Sequence, residues 1–153
     1  METGSKDTKV LTLAYQISMC LAANAECVWG TPWGGKGGSR TWEFIIPDGS
    51  TLTKIDLSSG DALDFISFTY KDGSSSMTMS ISSGLVGISG RVGLFGDNTV
   101  ITSVTFWTNI GTYGEYGTNP RTDFSFGVTL GKFSGFYGKC GNSVDSLGVI
   151  LQA

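Results

Sequence analysis

The chain has 153 residues, of which 40% are hydrophobic and 15% charged, a composition typical of one globular domain with a buried core. Its net charge of −3 and pI of about 4.7 provide no basic field for a phosphate backbone, so we do not expect nucleic acid as a partner. The absence of histidine excludes a His-activated nucleophile and the commonest zinc ligand. Cys20, Cys27 and Cys140 are too few and too scattered for a disulfide framework or a metal site. We therefore expect incidental free or paired thiols, no metal and no cofactor.

Residues 1–25 allow two interpretations. Lys6 and Lys9 precede an apolar run over residues 10–23, and Ala23-Asn24-Ala25 resembles a signal-peptidase site. Two acidic residues before the run and a glutamine inside it favour an N-terminal extension instead. An extension would fit a cytoplasmic or nuclear protein, and a cleaved signal would fit a secreted or vacuolar one. The run is too short to predict a transmembrane helix, and we expect no membrane partner.

Residues 26–153 have the pattern of one all-β domain. Glycines and short turn signatures separate segments that are rich in β-formers or that alternate between apolar and polar residues. The predicted strands cover residues 41–46, 52–57, 63–70, 76–82, 85–92, 100–108, 123–130, 132–137 and 144–151. Many short strands at regular spacing predict a closed or prism-like architecture with few open sheet edges. The order in which the strands pair does not follow from the pattern.

Three segments identify a family resemblance. They are Trp33-Gly34-Gly35-Lys36-Gly37-Gly38, the region 106–118 with FWTN and YGEYGT, and the closing run GFYGKCGNSVDSLGV at 135–149. Together they resemble the jacalin-related lectins, plant proteins with a β-prism I fold of three Greek-key sheets and pseudo-threefold symmetry. The resemblance covers about residues 28–152, and the closing run is its most specific part. It implies a mannose-binding lectin, with a role in plant defence as one expectation.

The closing run contains the loop that the resemblance assigns to sugar binding, Gly141-Asn142-Ser143-Val144-Asp145. A carboxylate accepts strong charge-assisted hydrogen bonds, and backbone N–H groups donate without side-chain entropy cost. The resemblance implies that Asp145 accepts from two sugar hydroxyls, at the 4- and 6-positions, and that the amides of Asn142 and Ser143 donate. It also implies that Gly38 contributes from the first loop and that Gly141 shapes the turn. Without the resemblance, the residues favour a turn-capping aspartate at Asp145 over a ligand-binding one.

The sugar class follows from the glycine-rich loop at residues 34–38. In the galactose-binding members of the family, the chain is cut to create a free amino terminus on a glycine near the pocket. Here the corresponding glycines lie within a continuous chain. The resemblance therefore favours mannose- or glucose-type oligosaccharides and the glycoproteins that carry them.

The same G-x-x-x-D spacing occurs twice more. Gly60 and Asp64, with Asp61 between them, could form a second sugar site of the kind found in some mannose-binding relatives. Its glycine-rich partner should lie in the interval 71–76, which is too short, and one strand of the family fold is missing there. We expect a prism shortened by one strand, with Asp61 and Asp64 as solvated turn acids.

The third match, at residues 93–97, lies in a region that borders the first pocket in the family. We expect Leu94 and Phe95 to form a specificity loop. Phe95 is either an apolar platform for a sugar face or a residue packed beneath the loop.

Three functions remain open. The first is a non-catalytic lectin whose weak single-site affinity is raised in a homo-oligomer, a dimer or tetramer. The second is a glycosidase that pairs Asp145 with Asp61 or Asp64, which requires carboxyl groups roughly 5–10 Å apart. The third is a protein-interaction scaffold that has lost sugar binding. The lectin is the favoured interpretation.

Overall fold

The computed structural model describes residues 27–47, 49–71, 84–117, 122–129 and 132–152. The predicted segment 1–25 and the whole of the predicted strand 76–82 therefore lie outside the described residues, as does Cys20. The described ranges form strands and turns without helix, and contain no helix long and apolar enough to span a membrane. The strands are β1 (Cys27–Trp29), β2 (Trp33–Gly34), β3 (Arg40–Ile45), β4 (Thr51–Ser59), β5 (Leu63–Lys71), β6 (Leu85–Phe95), β7 (Asn98–Thr108), β8 (Gly111–Gly117), β9 (Thr122–Gly127), β10 (Lys132–Cys140) and β11 (Val144–Gln152).

The strands form three antiparallel sheets, each built on one hairpin. The first sheet has the order β1-β11-β10-β3, with β2 also paired to β11. The second contains β4 and β5, and the third has the order β8-β7-β6-β9. In the third sheet, β8 pairs with the second hairpin strand and β9 crosses back to the first, which is a Greek key. The flanking strands of the first sheet repeat this arrangement, so the prediction of an all-β prism is confirmed.

The chain between the hairpin of the second sheet and that of the third is shorter than the chain between the hairpins of the third and the first. Residues 109–131, between β7 and β10, accommodate both β8 and β9, whereas only residues 72–84 separate β5 from β6. Most of that interval lies outside the described residues. The missing strand thus stays a prediction based on chain length.

A stack of phenylalanines joins the three sheets at the centre of the molecule. Phe68 of the second sheet lies parallel to Phe136 of the first, with ring centroids 4.6 Å apart. Phe106 of the third sheet meets Phe136 edge-on at 6.5 Å, and Phe44 stacks on the other side of Phe68 at 4.9 Å. All four rings are buried. Each pair adds about 0.5–1.5 kcal/mol to the free energy gained by burial alone.

A second aromatic contact fixes the start of the glycine-rich loop. The Trp33 ring stacks on Phe124 of β9 with centroids 4.5 Å apart and an interplanar angle of 10°. Because β2 also pairs with β11, Trp33 holds the chain between the first and third sheets. The loop that follows is therefore anchored where it begins.

Candidate functional site

Asp145 lies beside the glycine-rich loop because two separate segments pair with each other. The turn 141–143 joins β10 to β11 and is closed by a hydrogen bond from Gly141 N to Ser143 O at 3.0 Å. Asp145 is the second residue of β11. The pairing of β2 with β11 places Gly34 opposite Ser146, and Gly35 N donates to Asp145 O at 2.8 Å. The structure thus brings together the predicted residues Gly38, Gly141, Asn142, Ser143 and Asp145.

The loop contains glycine where the Asp145 carboxylate packs against its backbone. A Cβ atom on Gly37 would lie 2.7 Å from Oδ1 of Asp145, and one on Gly38 would lie 2.7 Å from Oδ2. Gly38 also has φ of +80°, in the left-handed region that glycine adopts without steric cost. A side chain at either position would displace the carboxylate or be displaced by it.

The Asp145 carboxylate is recessed and has no partner. The residue is 5% exposed, yet within the described part of the chain its side chain makes no hydrogen bond and no ion pair. Among the described residues, the one fully buried side-chain N or O atom without a partner is Oε1 of Gln152, so solvent reaches the Asp145 oxygens. A turn-capping aspartate would accept a backbone N–H, and this carboxylate does not. Its acceptor positions are open to a ligand.

Backbone donors lie next to this acceptor. The turn uses the N–H of Gly141 in its own hydrogen bond, whereas the N–H groups of Gly38, Asn142 and Ser143 have no acceptor within the described residues. Asn142 is exposed and Ser143 is buried at 5% exposure. A carboxylate beside free N–H groups can bind a ligand whose neighbouring hydroxyls both donate and accept.

The hairpin of β6 and β7 forms the far side of the site. A Cβ on Gly35 would lie 2.2 Å from Thr99 O, and one on Gly37 would lie 3.3 Å from Oδ1 of Asn98. Asn98 was missed by the sequence analysis. Leu94 is 51% exposed and Phe95 45% exposed, so Phe95 does not pack beneath the loop.

The other two copies of the spacing do not build an equivalent site among the described residues. Gly60 N donates to Ala62 O at 3.0 Å, which repeats the turn at Gly141, and Asp64 is likewise the second residue of its strand. Asp61 and Asp64 are nevertheless exposed, and a Cβ on Gly60 would meet no atom within 4 Å. In the third copy the glycine lies inside β6 and the aspartate in the following turn.

The cysteines take no part in ligand chemistry in the described structure. Cys27 is disulfide-bonded, whereas Cys140, beside the turn, is a free thiol. Burial raises the pKa of the Cys140 thiol; the Asp145 charge acts in the same direction and Arg40 opposes it. A raised pKa disfavours the reactive thiolate. The described residues contain no group of three His, Cys, Asp or Glu side chains that could hold a metal ion.

Comparison with known proteins places this arrangement in a family. Residues 30–150 match the jacalin-like lectin domain. The mannose/glucose-specific lectin of Parkia platycephala is 33% identical in a 139-residue alignment that covers 79% of this chain and 31% of that protein. The chain thus spans about a third of the length of that relative.

Two further comparisons cover nearly the whole of the other protein. The jacalin-related lectin Calsepa of Calystegia sepium is 34% identical in a 140-residue alignment that covers 76% of this chain and 90% of Calsepa. The structure of a mannose-specific jacalin-related lectin from Morus nigra, in complex with mannose, superimposes with a TM-score of 0.73 at 28% identity, covering 86% of this chain and 98% of that one. With the family match over most of its length and the three-sheet fold, this chain belongs to the jacalin-like lectin domain family.

Proposed function

We propose that this lectin domain binds mannose- or glucose-type glycans at the Asp145 pocket, formed by residues 34–38 and 141–145. The observation that carries the proposal is the recessed carboxylate of Asp145, which has no partner among the described residues and lies beside three backbone N–H groups that these residues leave unused. The family assignment favours a carbohydrate-binding protein over a glycosidase or a scaffold. Relatives described as mannose-specific or mannose/glucose-specific support the sugar class.

The geometry suits the edge of a pyranose ring. Two neighbouring hydroxyls donate to the two oxygens of Asp145, and the sugar oxygens accept from the amides of Gly38, Asn142 and Ser143. The bonds to the carboxylate are charge-assisted and therefore the stronger ones. The amides are fixed by the backbone, so binding immobilises few side chains. The exposed Phe95 lies on the adjacent hairpin, where it can contact an apolar sugar face.

Isothermal titration calorimetry with methyl α-mannoside tests the proposal. Asp145→Asn keeps the shape of the side chain but removes its charge and one acceptor oxygen. Because hydrogen bonds to charged groups contribute about 1.5–3 kcal/mol, we expect affinity to fall at least tenfold. Methyl α-galactoside should give no heat. Wild-type affinity in the Asp145→Asn protein would show that the sugar binds elsewhere.

Asp64→Asn is the matched control, because Asp64 occupies the same position of its strand after the same turn but is exposed. It should bind methyl α-mannoside like the wild type, with one site per chain. A loss of half the binding stoichiometry would instead assign a second site to Gly60, Asp61 and Asp64.

We also propose that the lectin acts as a homo-oligomer, a dimer or tetramer, because several weak sites acting together raise avidity. Strand β1 is at the edge of the first sheet and exposes Val28 and Trp29, which provides an apolar surface for self-association. Light scattering coupled to size exclusion measures the state directly. A monomer at micromolar concentration would refute this part of the proposal. A role in plant defence would act through the same glycan binding.

A further inference from the structure

Three cations belong to the segments that build the Asp145 pocket, and we call them the basic rim: Lys36, Arg40 and Lys139. They are three of the seven lysine and arginine residues in the described part of a chain whose net charge is −3. Such clustering in an acidic protein creates a local field of opposite sign to the molecule as a whole. The contacts of each residue place it at the pocket.

The basic rim is positioned by the same backbone that builds the pocket. Lys36 precedes Gly37 in the glycine-rich loop, and its carbonyl accepts from Nζ of Lys139 at 3.4 Å. The backbone N–H of Lys139 in turn donates to Oγ of Ser146 at 2.9 Å, next to Asp145. Arg40 lies opposite Cys140 in the pairing of β3 with β10. The Cys140 thiol is influenced by the charges of both Arg40 and Asp145, so these two groups flank the same small region.

No carboxylate of the described residues forms an ion pair with the basic rim, and the acid in the same pocket is Asp145 itself. Elsewhere in these residues, Lys54 pairs with Asp56 at 2.8 Å, and Arg91 pairs with two carboxylates. Lys36, Arg40 and Lys139, like Lys71 and Lys132, have no ion pair with any described residue. Glu43, a nearby acid on β3, accepts from Nε1 of Trp29 at 3.2 Å instead.

We propose that the Asp145 pocket prefers mannose-type glycans that carry an anionic group, such as phosphate or sulfate, beside the bound hexose. This proposal rests on the sugar binding proposed above. The anion must lie on the side of the sugar away from the hydroxyls that bind Asp145, which we call the flank. A negative group on those hydroxyls would be repelled by the Asp145 carboxylate. Charge complementarity with the rim then adds to hydroxyl recognition. Exposed ion pairs of this kind increase affinity by about 1.5- to 5-fold each at low ionic strength, and salt screens them.

Calorimetry with three sugars separates the contributions. Methyl α-mannoside measures hydroxyl recognition alone, α-mannose 1-phosphate places the charge on the flank, and mannose 6-phosphate places it against Asp145. We expect α-mannose 1-phosphate to bind several-fold tighter than methyl α-mannoside in 20 mM salt. This difference in affinity should shrink in 0.5 M salt, because the Debye length falls from about 20 Å to 4 Å. Mannose 6-phosphate should bind more weakly than either.

Variants assign the advantage to the rim. Lys139→Gln and Arg40→Gln should each lower the affinity for α-mannose 1-phosphate by about 1.5- to 5-fold and leave that for methyl α-mannoside unchanged. Lys132→Gln is the control, because Lys132 lies at the opposite end of the same strand as Lys139. An array of matched phosphorylated, sulfated and sialylated oligosaccharides then identifies the preferred anion.

The outcomes distinguish the two proposals. Equal affinity for methyl α-mannoside and α-mannose 1-phosphate refutes the preference for anionic glycans and leaves mannose binding intact. Tighter binding of mannose 6-phosphate also refutes it, because the charge would then lie on the wrong side of the sugar. An equal effect of Lys132→Gln would show a general charge effect and refute the role of the rim. No heat with any of the three sugars overturns the proposed function itself.

Discussion

Replacing Gly37 by alanine tests whether the position of the Asp145 carboxylate determines sugar binding. The new Cβ would lie 2.7 Å from Oδ1 of Asp145, inside the 3.0 Å limit that packed Cβ atoms essentially never cross. Because Gly37 does not have a positive φ, alanine adds no backbone strain there. The carboxylate must therefore retreat by several tenths of an ångström or rotate.

The loss of affinity follows from the hydrogen bonds that such a movement breaks. A hydrogen bond to a charged group contributes about 1.5–3 kcal/mol, so losing one of the two lowers affinity by about 10- to 150-fold. The free energy of unfolding should change by less than about 0.5 kcal/mol, as for other surface substitutions. Calorimetry with methyl α-mannoside and urea denaturation measure the two quantities on the same protein.

Gly38 in the same loop and Gly60 in the distant β4–β5 turn give this prediction its controls. Gly38→Ala should lose both binding and stability, because Gly38 has φ of +80° and its Cβ would also lie 2.8 Å from the Cys140 backbone; a left-handed conformation costs a non-glycine residue about 1–2 kcal/mol. Gly60→Ala should lose neither, because its Cβ would meet no atom. Wild-type affinity in the Gly37→Ala protein would refute the assignment of Asp145 as the hydroxyl acceptor.

Three further predictions concern other parts of the molecule. Phe136→Ala should lower the free energy of unfolding by about 3–5 kcal/mol, measured by urea denaturation, because Phe136 joins all three sheets; a loss below 1 kcal/mol would contradict the central stack. Phe95→Ser should weaken binding of oligomannose more than that of methyl α-mannoside, without change in the urea midpoint, because the ring is 45% exposed; equal effects on both ligands would refute a platform role. The pKa of the Cys140 thiol is raised by burial, so alkylation of this thiol by iodoacetamide should be slow at pH 7.5. The alkylation rate should keep rising at pH values where the rate for an ordinary thiol has already levelled off. Fast labelling at neutral pH would refute the raised pKa.

Strands with one buried face were predictable from the sequence. The alternation over residues 63–70 predicts β5 (Leu63–Lys71), in which Ile66, Phe68 and Tyr70 pack toward the core. The alternation places Leu63 on the opposite face, yet Leu63 is buried too, because the pairing with β4 shifts register between Leu63 and Phe65. Strand β8 was missed because six of its seven residues are exposed and three are glycines, so no apolar alternation marks it. The predicted strand over residues 85–92 ended too early, because β6 continues through Gly93 to Phe95, where β7 pairs with it.

The candidate site was predictable only where its residues are contiguous. The run 141–145 and the glycines of 34–38 could be read from the sequence through the family resemblance. Asn98 could not, because its place at the pocket depends on Gly35 lying against Thr99 O, a contact between distant segments. The basic rim has the same origin: Lys36, Arg40 and Lys139 meet only because β2 pairs with β11 and β3 pairs with β10.

The comparison of Gly60 with Gly141 shows what makes a turn into a site. Both glycines donate to the carbonyl two residues later, and both are followed by an aspartate at the second position of the next strand. The turn therefore does not account for the difference between exposed Asp64 and recessed Asp145. Among the described residues, what differs is the segment alongside: β2 pairs with β11 and lays a glycine backbone against the carboxylate. The recessed position of the Asp145 carboxylate is thus a property of strand pairing between distant segments, and the G-x-x-x-D spacing supplies only the acceptor.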